Sequence, residues 1–124
     1  MIPILVCKVV GAVFVVVAIW GFVAGDRVLI FHVNTAHNIV HLLSGLAALA
    51  CGFAGYRPAK MFCLIFGAVY GLVAVLGFAG VAQVVELLHL NMADNWLHAA
   101  LAAVFLVAGL TPPAAVGTPV RTSL

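Results

Sequence analysis

Cys7-Lys8-Val9-Val10-Gly11-Ala12-Val13-Phe14-Val15-Val16-Val17-Ala18-Ile19-Trp20-Gly21-Phe22 is the stretch on which the fold turns. Beyond Lys8 it is uninterrupted apolar chain, long enough with its flanks to cross about 30 Å of hydrocarbon at ~1.5 Å per helical residue. Backbone groups facing lipid must be satisfied within the segment, so such a span has to be helical. The stretch also comes back. At one constant offset, Cys7, Gly11, Ala12, Val13, Val17, Ala18, Gly21 and Phe22 recur as Cys63, Gly67, Ala68, Val69, Val73, Ala74, Gly77 and Phe78, a density of identity that apolar composition alone does not produce.

Working outward, apolar runs cover residues 4 to 25, 36 to 55, 61 to 83 and 93 to 111. Each repeat therefore holds two spans, an even number, so both copies share one topology and should be related by a pseudo-twofold axis along the membrane normal. The fold class this predicts is all-α: an integral membrane four-helix bundle made of two parallel two-helix repeats. One domain covers 1–110, with repeat 1 over 4–55 and repeat 2 over 60–110. A cytoplasmic tail over 111–124 follows, where Pro112, Pro113 and Pro119 stop the fourth helix near Leu110. Gly21 with Gly25, and Gly67 with Gly71, lie four apart on one helix face and predict close helix packing within the bundle.

Hydrophobic residues make up 67% and charged residues 6% of the 124, and the mean hydropathy is +1.34, so no soluble surface can be assembled. The net charge of +2 is too small and scattered for nucleic acid. The partner implied is the lipid bilayer. Lys8, Arg57, Lys60 and Arg121 gather on one side, against Arg27 with Asp26, Glu86 and Asp94 on the other, which places both termini and the middle loop, Gly55 to Lys60, in the cytoplasm. The first span resembles a secretory signal, but its repetition argues that it is retained. Cys7, Cys51 and Cys63 are too few for a disulfide framework and read as packing residues, while Trp20, Trp96 and Tyr56 suit the membrane interfaces.

At an offset one residue longer, a polar signature repeats. His32, Asn34, Ala36, Asn38 and His41 align with His89, Asn91, Ala93, Asn95 and His98, and His37 aligns with Asp94. From the first Asn the polar positions fall at i, i+3, i+4 and i+7, one stripe along one helical face. That stripe must point inward, since imidazoles and carboxamides facing lipid are costly.

Several chemistries fit the stripe. His37, His41, Asp94 and His98 offer three imidazoles and one carboxylate, a set for zinc, iron or copper. His41 and His98 alone could hold a tetrapyrrole, as axial ligands of a haem iron or of chlorophyll-type magnesium. A structural network explains the same residues: Asn34 and Asn91 as N-caps, Asp94 favoured by the helix dipole, His37 paired with Asp94, and Asn38 and Asn95 hydrogen-bonded between helices. A proton or metal-ion conduit needs polar groups deeper in, where only Ser44 is found. His32 and His89 precede the helices and suit interfacial solvation. No phosphate loop, nucleophile elbow or C-x-x-C is present.

His37-Asn38-x-x-His41 followed by Leu42, Leu43 and Gly45, then Gly67, Tyr70 and Gly77, and Asp94-Asn95-Trp96-Leu97-His98 together resemble a family of small four-helix bacterial membrane proteins known as a domain of unknown function. The resemblance runs from about Gly11 to Gly109 and implies a multi-pass protein of the bacterial inner membrane. It brings no cofactor and no reaction. The sequence alone favours a structural or accessory subunit, packing against a larger membrane complex or against itself, with the polar cluster stapling the two repeats. Transition-metal or tetrapyrrole binding is the alternative, a minimal proton or ion conduit the third. No enzymatic activity is expected.

Overall fold

The computed structural model describes residues 1–113, so most of the expected tail, Arg121 included, lies outside the described residues. The elements run α1 (Ile2–Ala24), β1 (Arg27–Val28), β2 (Phe31–His32), α2 (Thr35–Ala54), α3 (Tyr56–Phe78), α4 (Ala82–Leu88) and α5 (Met92–Leu110). Of these, α1, α2, α3 and α5 are long and apolar enough to cross a membrane.

Three details differ from the expected run of helices. β1 and β2 form a minimal antiparallel hairpin, Arg27 opposite His32 and Val28 opposite Phe31, too short to leave a periodicity in the sequence. The expected loop from Gly55 to Lys60 shrinks to Gly55, whose φ of 119° turns the chain sharply. α3 then starts at once, because Pro58 in its first turn lacks only a donor that would have no partner there. The third span, expected to run to residue 83, ends at Phe78; Gly80 turns the chain at φ 67° and α4 begins two residues later, with Glu86 exposed on it.

α1 packs chiefly on α2, and α3 on α5, with lighter contacts joining the pairs. The glycines explain the closeness. A β-carbon added at Gly11 would stand 2.9 Å from the Gly45 carbonyl oxygen, and one at Gly45 would stand 2.9 Å from that of Gly11, so the two backbones touch. In the other pair Gly67 receives Leu106 and Gly109 receives Leu64. Gly25, expected to extend this surface, is instead a helix cap at φ 95°, where an added β-carbon would meet nothing within 4 Å among the described residues.

Phe105 fills the middle of the bundle, edge-on to Phe14 and Phe62. Cys7 and Cys63, which the repeat equates, meet there with sulfurs 3.7 Å apart, both buried and both free thiols. The outer surface carries Leu5, Val16, Val23, Leu43, Leu72, Val75 and Val107, all more than half exposed, an apolar belt that water would not tolerate at this extent. At the end of the bundle where α3 begins and α5 stops, the Tyr56 hydroxyl donates to the Thr111 carbonyl at 2.7 Å, anchoring a ring that the sequence suggested only as an interfacial aromatic.

Candidate functional site: a buried histidine cluster

Both polar helices begin the same way. The Asn34 side-chain oxygen accepts from the His37 amide at 2.8 Å, and that of Asn91 accepts from the Asp94 amide at 2.9 Å. Each capping amide also reaches across the bundle: Asn34 Nδ2 donates to the Leu87 carbonyl at 3.0 Å, and Asn91 Nδ2 to the Ile30 carbonyl at 2.9 Å. The two helix starts are thereby each tied to the connection of the opposite pair, at Leu87 and Ile30, which fixes the position of the residues that follow.

One to two turns in, His37, His41 and His98 converge. Every one of the three offers a ligating atom within 4.8 Å of those of the others. Their ring centroids lie 4.5 Å apart for His37 and His41, 5.8 Å for His37 and His98, and 6.5 Å for His41 and His98. Phe14 stacks on His41 at 5.0 Å, and Tyr70 tilts against His98 at 5.4 Å, so aromatic walls hold two of the rings. The three residues are 2–5% exposed, and among the described residues Nδ1 and Nε2 of His37, Nδ1 and Nε2 of His41 and Nδ1 of His98 have no hydrogen-bond partner.

The other expected members of the cluster stand elsewhere. Asp94 does not pair with His37: its Oδ2 accepts from the Asn91 amide at 2.8 Å, closing a capping box. The carboxylate, one bond shorter than an imidazole and flanked by an unpaired amide, satisfies its own helix terminus. Asn38 and Asn95 do not bridge helices through their side-chain oxygens. The Asn38 carboxamide rests on the α-carbon of Gly21 and that of Asn95 on Gly77, each occupying the place a β-carbon would need, and both Oδ1 atoms lack a partner. His32 and His89 lie apart, on β2 and at the cap of α4, with rings 5.5 Å from each other.

Two side cavities reach the cluster. A cavity of about 70 Å³ between α2 and α3 is bounded by His37, His41, Ser44, Tyr70 and His98, with the half-exposed Val40 and Val69 at its mouth. A second, of about 150 Å³ between α1 and α5, is apolar save for His41 and is bounded by Val13, Phe14, Val17 and Leu101. By the repeat, Tyr70 corresponds to Phe14 and Ser44 to Leu101, so one cavity is the polar counterpart of the other. Tyr70 is the site residue that reasoning from the polar stripe passed over. The signal was there, as a tyrosine standing where the first copy has phenylalanine.

The arrangement defines a helical bundle with four membrane-length helices closed around three buried, converging histidines. The chain belongs to the family described as Domain of unknown function (DUF4383), which matches residues 5–111. No curated protein and no solved structure matches it.

Proposed function

We propose that this is a small integral membrane protein that binds one first-row transition-metal ion between His37, His41 and His98. The observation that carries this reading is the set of orphaned imidazole nitrogens. A polar staple earns its place by hydrogen bonding across the interface, and a buried nitrogen left without a partner costs about 1–3 kcal/mol. Here five such atoms are buried in one cluster. An ion at their centre would satisfy one on each ring. Metal–nitrogen bonds of about 2.0–2.1 Å require nitrogens roughly 3.3–3.6 Å apart. Separations of up to 4.8 Å close to that range by small rotations of side chains already facing one another.

The donors are imidazoles only, which suits zinc, iron or copper. A tetrapyrrole fits less well: the cavity beside His98 holds a few water-sized groups and no slot for a macrocycle. An accessory-subunit role calls for small-residue faces free to receive another protein, yet Gly11, Gly21, Gly67 and Gly77 are buried inside the bundle. The four spans lie in a bacterial inner membrane with both termini cytoplasmic and the cluster toward the outer side. The two helix pairs act as copies related by a twofold axis along the membrane normal, and the protein works by binding rather than as a stand-alone enzyme. Elemental analysis of the protein purified in mild detergent tests the metal: one ion per chain in the wild type and none in His41→Ala or His98→Ala supports it, whereas metal-free wild type refilled by no first-row ion refutes it.

A further inference from the structure

We infer that the ion held by this cluster is monovalent copper, coordinated by the neutral imidazoles of His37, His41 and His98. The inference rests on the metal-site reading above and narrows it by charge, environment and coordination number.

The chain has three side-chain carboxylates. Asp26 and Glu86 are exposed in the outer connections, and Asp94 spends an oxygen on the Asn91 amide. None belongs to the group of ligating atoms that converge, so every donor there is uncharged. The surroundings offer little dielectric relief: Phe14, Phe66, Val40, Val69, Val73 and Tyr70 form the walls. The cost of moving an ion from water into such a medium rises with the square of its charge, so a dication with no anion among its ligands meets about four times the penalty of a monocation. Transition-metal sites in proteins usually meet that cost with a thiolate or carboxylate in the ligand set. This site supplies neither.

Coordination number points the same way. Zinc takes four ligands, and with three histidines it would draw its fourth, a water or hydroxide, from the cavity bounded by Ser44 and Tyr70. Cupric ion prefers a tetragonal set. A filled-shell cuprous ion is satisfied by two or three donors and needs no added anion. Three rings on two helices, with Phe14 stacked on one face of His41, match that demand.

The test is a competition under anaerobic, ascorbate-reduced conditions. Purified protein in detergent is titrated with cuprous ion held by bicinchoninate and, separately, with zinc held by a chromogenic chelator. One cuprous ion per chain should bind at least about tenfold more tightly than zinc, a difference of about 1.4 kcal/mol. Binding should be lost in His41→Ala and His98→Ala, and X-ray absorption should show two or three nitrogen neighbours. Ser44→Asp, which places a carboxylate in the same cavity, should narrow the preference, and Ser44→Ala should leave it unchanged. Should Ser44→Asp fail to fold, the wild-type comparison still decides. Zinc bound as tightly as cuprous ion at the same histidines overturns the inference and leaves the metal site standing. Cuprous ion bound through sulfur, at Cys7 and Cys63, overturns it too. No ion of either kind overturns both.

Discussion

At the scale of single residues, the cluster is defined by what its atoms lack. His41 touches both side cavities, stacks on Phe14 and has neither ring nitrogen paired. Metal saturating the site at about 100 times its dissociation constant should stabilise the folded protein by about 2.7 kcal/mol. That appears as a metal-dependent rise in melting temperature, absent in His41→Ala. The Tyr70 hydroxyl is buried with no hydrogen-bond partner among the described residues, where the repeat has Phe14, so Tyr70→Phe should leave metal-free protein unchanged or up to about 1 kcal/mol more stable in a detergent melt. Gly21 behaves oppositely. An alanine there puts its β-carbon into the Asn38 carboxamide, and overpacking of this kind costs about 1–3 kcal/mol. Pairing Gly21→Ala with Asn38→Ala should recover part of the loss, a non-additivity that a double-mutant cycle reads directly.

At the scale of elements, the starts of α2 and α5 do two jobs at once. Asn34 and Asn91 cap their own helices and hold the opposite outer connection through their amide nitrogens. Replacing a capping asparagine by alanine costs about 1 kcal/mol, and here the second hydrogen bond goes with it. Asn91→Ala should therefore lower stability by about 1–2 kcal/mol. Asn91→Asp keeps the acceptor and loses the donor to Ile30, so its loss should be smaller, and hydrogen exchange should rise first in the hairpin β1–β2. The glycine contacts between α1 and α2 and between α3 and α5 predict that each pair survives as a unit when the outer connections loosen.

For the whole molecule, an apolar belt outside and a polar cluster inside invert the soluble pattern, as expected where lipid is the solvent. Helices in that solvent gain no hydrophobic energy by touching one another, so close backbone approach and buried hydrogen bonds must hold the bundle together. The proposed orientation is checked by single cysteines introduced in a background lacking the native ones. Positions at Met1 and Pro113 should react from the cytoplasmic side, and positions at Leu29 and Leu87, exposed on the outer connections, from the other. Labelling of Leu29 and Met1 positions from the same side would refute a membrane-spanning α1.

Four apolar stretches were written into the chain because hydrocarbon thickness fixes helix length and leaves the backbone no alternative, and helix N-caps were legible at Asn34 and Asn91 because the cap is a local bond within one turn. The i, i+3, i+4, i+7 stripe marked the inward face for the same reason of local geometry. What local geometry could not set was which members of the stripe meet. His37 and Asp94 align in the repeat, yet one ring enters the cluster while the other carboxylate folds back on its own amide, a choice made by side-chain reach and by competition with a helix terminus. That Asn38 and Asn95 would seat on Gly21 and Gly77, and that Tyr70 would face His98 across the interior, depended on how closely two backbones approach. The sequence by itself determined the four membrane-length apolar stretches and the polar face. The tertiary structure alone decided that three histidines converge without a carboxylate, because convergence of side chains from separate helices is a property of packing and not of spacing along the chain.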